Sequence, residues 1–195
     1  MTSYNENIYY SSIVKSFDLN DKELPLDVLY AEMCKNEKII YDINPYKLEQ
    51  FTQSVLSDFF DCEVKHVGRT GDGGKDLIVV QSDEPILVQV KRRENPNHVE
   101  LIKGVREFIG TLFIDGAKKG IYVTTAKKFS KGCEKISRQL LESGKLDYFN
   151  LIDCDSLLSM LNLNKVSKKT WDKFTKDPLF EKNKSFGNWE SVNWY

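Results

Sequence analysis

Chemistry in this chain concentrates on one short strand and the residue that opens its neighbour. Residues 86–91 read Ile-Leu-Val-Gln-Val-Lys, and alternate residues of a strand share a face. Gln89 and Lys91 therefore project together with Leu87, while Ile86, Val88 and Val90 point the other way into a core. An edge strand that ends in solvated polar residues is the plain alternative for Gln89 to Arg93. Asp76 follows a glycine-rich loop directly and opens the preceding strand, and hairpin pairing carries it toward Gln89 and Lys91. The trio suits a divalent-metal phosphodiesterase centre. Cleaving a phosphodiester needs a cation that neutralises the phosphate and acidifies an attacking water, and Mg²⁺ takes oxygen ligands. Asp76 supplies a charged oxygen, Gln89 a neutral amide oxygen, and Lys91 holds the water and steadies charge on the phosphate. A second acid would help, and Glu49, at the edge of an upstream helical stripe, is the candidate. A solvated first-turn acid favoured by the helix dipole accounts for Glu49 equally well.

The remaining composition excludes several other chemistries. Four cysteines (Cys34, Cys62, Cys133, Cys154) and two histidines (His66, His98) stand apart with no C-x-x-C pairing, which argues against a zinc site, a disulfide framework and a Ser-His or Cys-His centre. The loop Gly68 to Lys75 (GRTGDGGK) fails as a P-loop: Arg69 stands five before Gly74, Asp76 follows Lys75, and a strand rather than a helix comes next. No apolar run approaches the roughly 20 residues that cross a bilayer, and the first residues lack a signal layout, so the expected location is cytoplasmic, with no membrane partner. The net charge of −1 hides a division: residues 1–64 hold 5 basic and 12 acidic side chains, whereas residues 65–145 hold 16 and 10. The cationic middle suits a polyanion, or else is a solvated face.

Periodicity and punctuation place these residues on an α/β framework. A helix is expected around Leu26 to Lys38. A second starts at Asn44-Pro45 and carries the stripe Leu48, Phe51, Val55, Leu56, Phe59 and Phe60. Strands follow at Cys62 to Val67, Leu77 to Val80 and Ile86 to Lys91, then a helix from Asn97 to Ile114. A strand at Ile121 to Thr124, a basic helix from Phe129 to Ser143, a strand at Phe149 to Ile152 and a short helix from Asp155 to Leu163 complete the order. The early strands read as a meander and the later ones as crossover-linked. Residues 1–44 read as an acidic arm or small helical appendage, 45–163 as the main domain, and 164–195 as an aromatic-rich tail holding all three tryptophans, suited to packing back or docking on a partner.

With those residues in view, the run V-G-R-T-G-D-G-G-K-D-L-I-V-V (Val67 to Val80), then I-L-V-Q-V-K-R-R (Ile86 to Arg93), resembles the Mrr-type restriction endonuclease domain of the PD-(D/E)xK nuclease superfamily. The likeness continues through R-E-F-I-G-T-L (Arg106 to Leu112), G-A-K-K-G-I-Y-V-T-T (Gly116 to Thr125), Phe129-Ser130 and L-I-D (Leu151 to Asp153). It implies a restriction-endonuclease-like mixed β-sheet flanked by α-helices and Mg²⁺-dependent cleavage of DNA, most naturally double-stranded, with Mn²⁺ able to substitute. It also implies a catalytic set of Asp76, Gln89, Lys91 and Glu49, with Asp76, Glu49, Gln89 and Val90 at the metal. Gln in place of the superfamily acid is usual in this branch. Lys75 departs from the family's uncharged residue in G-G-x-D, and a cation there either weakens metal binding or adds a phosphate contact. It also keeps open the rival reading of an inactive nucleic-acid-binding or assembly subunit. Lys75, Arg92, Arg93, Lys127 and Lys128 are the candidate backbone contacts. The stretch before the domain is too short and acidic for the winged helix that many relatives carry, so target choice is expected from a homodimer or a partner protein, as in bacterial restriction and anti-phage defence.

Overall fold

A computed structural model describes residues 18–19, 21–68, 74–80 and 84–161. The aromatic tail, the first 17 residues of the acidic arm and the middle of the glycine-rich loop lie outside the described residues. None of the described helices is long and apolar enough to cross a membrane.

The helix that starts at Asn44-Pro45 forms as its punctuation dictates. Asn44 Oδ1 accepts the Tyr46 backbone N–H at 2.9 Å, and Pro45, which has no N–H to leave unsatisfied, occupies the first turn. This 16-residue helix, Pro45–Phe60, is α2, and it ends where Asp61 enters the left-handed region at φ 49°. A shorter helix, α1 (Leu26–Met33), precedes it. The single helix expected to Lys38 is interrupted because the Asn36 side chain accepts the Lys38 N–H and starts a separate 3-10 turn, Glu37–Tyr41.

Strands β1 (Val64–His66), β2 (Leu77–Val79) and β3 (Ile86–Lys91) form an antiparallel meander. From β3 the chain runs through a two-residue strand β4 (Val99–Glu100) and helix α3 (Ile102–Ile114) to β5 (Lys119–Thr124), which pairs parallel with β3. Strand β6 (Lys128–Phe129) and helix α4 (Lys131–Glu142) then lead to β7 (Tyr148–Ile152), parallel to β5. The five-stranded sheet has the order β1-β2-β3-β5-β7, and residues 154–161 form a closing helix, α5. The sheet is thus mixed: the meander supplies its antiparallel part, and the two helical crossovers its parallel part.

Side-chain alternation divides the interior in two. Val64, Leu77, Val79, Ile86, Val88, Val90, Ile121 and Val123 face α1, α2 and α5, while Leu87, Tyr122 and Phe149 face α3 and α4. Each fully buried side chain of this kind contributes about 1.5–3 kcal/mol. Within residues 1–44, the stretch read as an acidic arm or small helical appendage, Leu24, Leu29, Met33, Ile40 and Ile43 join the α2 core as buried members. Gly120 lets α3 lie close on β5, since a Cβ there would stand 2.6 Å from Leu112 Cδ1.

Two boundaries differ from the periodicity for one reason. Val99 and Glu100 pair in parallel with Lys128 and Phe129, so α3 begins at Ile102 rather than Asn97 and α4 at Lys131 rather than Phe129. Asn95 also diverts the chain before α3, accepting the Asn97 N–H on its side chain and the His98 N–H on its carbonyl, both at 2.9 Å.

Candidate active site

The meander register places Asp76 one step beyond Leu77, which is opposite Val88, so Asp76 meets the level of Gln89. Two bonds fix it there: its N–H donates to Val88 O at 2.8 Å, and its Oδ2 accepts the Val90 N–H at 2.7 Å. Asp76 is thus tied to the β3 backbone on both sides of Gln89, through its amide at Val88 and its carboxylate at Val90. Val90 itself holds Asp76 through its amide while its side chain is buried in the core on the other face. Gln89 is only 6% exposed, and its Oε1 is buried without a hydrogen-bond partner. An amide oxygen stranded this way costs about 1–3 kcal/mol, a cost expected where a site is built for something else to bind.

Glycines allow the close approach. Gly74 has φ +86°, a conformation that disfavours side chains, and a Cβ there would stand 3.4 Å from Gln89 Nε2. A Cβ on Gly68 would lie 3.3 Å from Glu49 Oε2 and 3.6 Å from Asp76 Cα, so Glu49 reaches the same corner from just past the first turn of α2, rather than as the first-turn acid the sequence allowed. Glu49 Oε2 is 2.7 Å from His66 Nε2, and the His66 ring takes an edge contact from Tyr46 at 5.2 Å between centroids. Among the described residues no group of three or more His, Cys, Asp or Glu gathers to hold a metal ion. The oxygen donors that do come together are two acids, Asp76 and Glu49, and the Gln89 amide.

Lys91 lies across from Thr124 in the parallel β3-β5 register, with Gln89 across from Tyr122. Beneath this end of the sheet is a buried network that sequence reasoning missed. Glu100, 1% exposed, receives Arg93 Nε at 2.8 Å and Arg93 Nη2 at 2.7 Å, with Thr124 Oγ1 at 3.1 Å and the Tyr122 hydroxyl at 3.3 Å. Burial pushes the Glu100 carboxyl up, but the Arg93 bonds and charge and the two hydroxyls more than offset it, holding the group below its ordinary value. Glu100 in turn raises Tyr122, already raised by burial. The one signal for Glu100 was an acid within an otherwise apolar stretch, Val99 to Ile102. For His66 it was a place on a strand beside the end of the Glu49 helix.

The proposed backbone contacts are distributed unevenly. Lys75 bonds to Asp115, Arg92 donates to Tyr41 O at 2.9 Å and to Glu94 at 2.7 Å, and Arg93 is held by Glu100. Lys127 and Lys128 are exposed beside β4, Lys127 N–H donating to His98 O at 3.0 Å. The structure thus gathers Asp76, Gln89 and Lys91 on neighbouring positions with Glu49 beside Asp76, and leaves Lys127 and Lys128 as the solvent-facing cations of the set.

Residues 40–161 match the family model of the Mrr_cat restriction endonucleases, and the chain belongs to that family. Among solved structures it is similar to restriction endonuclease FokI bound to DNA, with 14% identity and a TM-score of 0.46 over 86% of this chain and 31% of that one. A second FokI structure gives 12% identity and a TM-score of 0.48 over 86% and 32%. The chain therefore spans about a third of the length of those FokI chains. No curated protein matches.

Proposed function

We propose that this chain is a Mg²⁺-dependent endonuclease that hydrolyses phosphodiester bonds in double-stranded DNA, with Mn²⁺ able to substitute. The observation that carries this reading is the buried, unpartnered Gln89 Oε1 at the level of the backbone-locked Asp76 carboxylate. All-oxygen donors of this kind fit a hard cation, and membership in a restriction endonuclease family supports the same chemistry. Asp76, Gln89 and Glu49 would hold the ion, with Val90 contributing through its backbone. When bound, the ion supplies neutralising charge at the phosphate and a more acidic water.

The chain's own residues do the positioning. The Val90 N–H holds the Asp76 carboxylate while Val88 O accepts the Asp76 backbone N–H, His66 orients Glu49, and Lys91 steadies negative charge on the phosphate and holds the nucleophilic water. Lys127 and Lys128 contact the DNA backbone, whereas Lys75, Arg92 and Arg93 are each paired with an acid of the chain. The setting we infer is a cytoplasmic effector of bacterial restriction or anti-phage defence, with target choice supplied by a homodimer or a partner protein. Supercoiled plasmid incubated with Mg²⁺, Mn²⁺ or EDTA tests the reaction. Nicking or linearisation with either metal and none in EDTA is expected, and cutting that persists in EDTA contradicts the reading.

A further inference from the structure

Next to the catalytic strand lies a cavity of about 410 Å³ that the catalytic set does not account for. Its lining includes Lys91, His98, Lys103, the Arg93–Glu100 pair and one further acid, Glu107. Glu100 is not an open negative charge there, because both its oxygens are taken by Arg93 and by the hydroxyls of Tyr122 and Thr124. The ion pairs among the described residues involve neither Lys91 nor Lys103, so two cations face this space with no acid bound to them. The surrounding backbone extends the same character. Lys127 N–H is bonded to His98 O, and Lys128 is paired with Val99, so the β4-β6 ribbon carries two more exposed lysines along its edge.

From these contacts we infer that the cavity is a second phosphate subsite, taking the backbone phosphate next to the scissile one on the same DNA strand. This rests on the nuclease reading above. Lys91 belongs to both places, so the subsite begins where the catalytic set ends. Successive phosphates on one strand are close enough for neighbouring pockets to hold them. A volume near the lower end of ligand pockets admits one backbone unit and no duplex, which restricts the contact to phosphate and sugar. Lys103 is the charge dedicated to this subsite, His98 offers a ring N–H beside it, and the ribbon lysines continue the track outward. Contacts of this type fix register on DNA and read no sequence.

Salt dependence of binding tests the inference, using the full chain with Asp76→Ala so that bound duplex is not cut. Fluorescence polarisation of a labelled duplex is followed across increasing KCl. Adding Lys103→Ala should weaken binding several-fold and reduce the slope of log affinity against log salt by about 0.9, the contribution of one phosphate contact. Lys103→Arg should restore the slope, and Lys145→Ala, at an exposed lysine beyond the far end of α4, should leave it unchanged. A Lys103→Ala slope equal to that of its parent overturns the subsite and leaves the nuclease reading intact. A parent chain that binds no duplex overturns the DNA reading itself, and the subsite with it.

Discussion

Lys75 donates its ammonium to the Asp115 carboxylate at the C-terminal cap of α3, so the cation that immediately precedes Asp76 in sequence is turned toward the helix and neutralised there. The same contact anchors the end of the glycine-rich loop that delivers Asp76 to the meander. The cation at Lys75, the feature that keeps the inactive-copy reading open, is thereby paired with an acid 40 residues away.

Replacing Lys75 with Gln should therefore change metal-dependent cutting by less than about threefold. The pair is partly exposed, so its loss should cost no more than about 1 kcal/mol in urea unfolding. A much larger drop in cutting with stability retained would mean that Lys75 serves the substrate directly.

Gln89 presents a conflict between stability and function. Its stranded oxygen costs free energy in the metal-free protein, so Gln89→Met, close in volume, should raise stability by about 1 kcal/mol and the melting temperature by about 2–4 °C. Cutting should fall at least about 100-fold in the same variant, since a ligand worth several kcal/mol is lost. Thermal unfolding in EDTA and plasmid assays in Mg²⁺ measure the two effects separately.

What the sequence disclosed follows the range of the forces involved. Alternation along β3 exposed the shared face of Gln89 and Lys91, and Asn44-Pro45 marked the start of α2, because both are local effects. The hairpin placed Asp76 near Gln89 for the same reason. The β4-β6 pairing was hidden, because two-residue strands have no period and are held together by chain far apart in sequence. Glu100 was hidden with it: its partners Arg93, Tyr122 and Thr124 come from two other strands or strand ends. His66 looked isolated because Glu49, its partner, lies 17 residues earlier.

The Glu100 network also gives stability a pH dependence with a definite sign. Its carboxyl is held below the ordinary value in the folded chain, so its stabilisation is complete above the unfolded carboxylate pKa of about 4.3 and is lost as pH falls through the lower folded value. Glu100→Gln should cost about 3 kcal/mol near neutral pH, because Arg93 loses its buried partner. The difference between wild type and variant should shrink as pH falls below about 4. Urea unfolding followed by circular dichroism across that range checks it, and a gap that widens in acid would reverse the assignment.

The central claim is that Asp76 and Lys91 perform chemistry on a bound phosphodiester, and the most direct measurement compares cutting and DNA retention in Asp76→Ala and Lys91→Ala. With Mg²⁺ present, both variants should lose cutting by at least about 1000-fold, while both keep their fold by circular dichroism. Asp76→Ala should retain duplex DNA close to wild type, and Lys91→Ala should retain it with a modest loss of affinity. Folded variants that cut plasmid at the wild-type rate would contradict the account and place the reaction elsewhere in the chain.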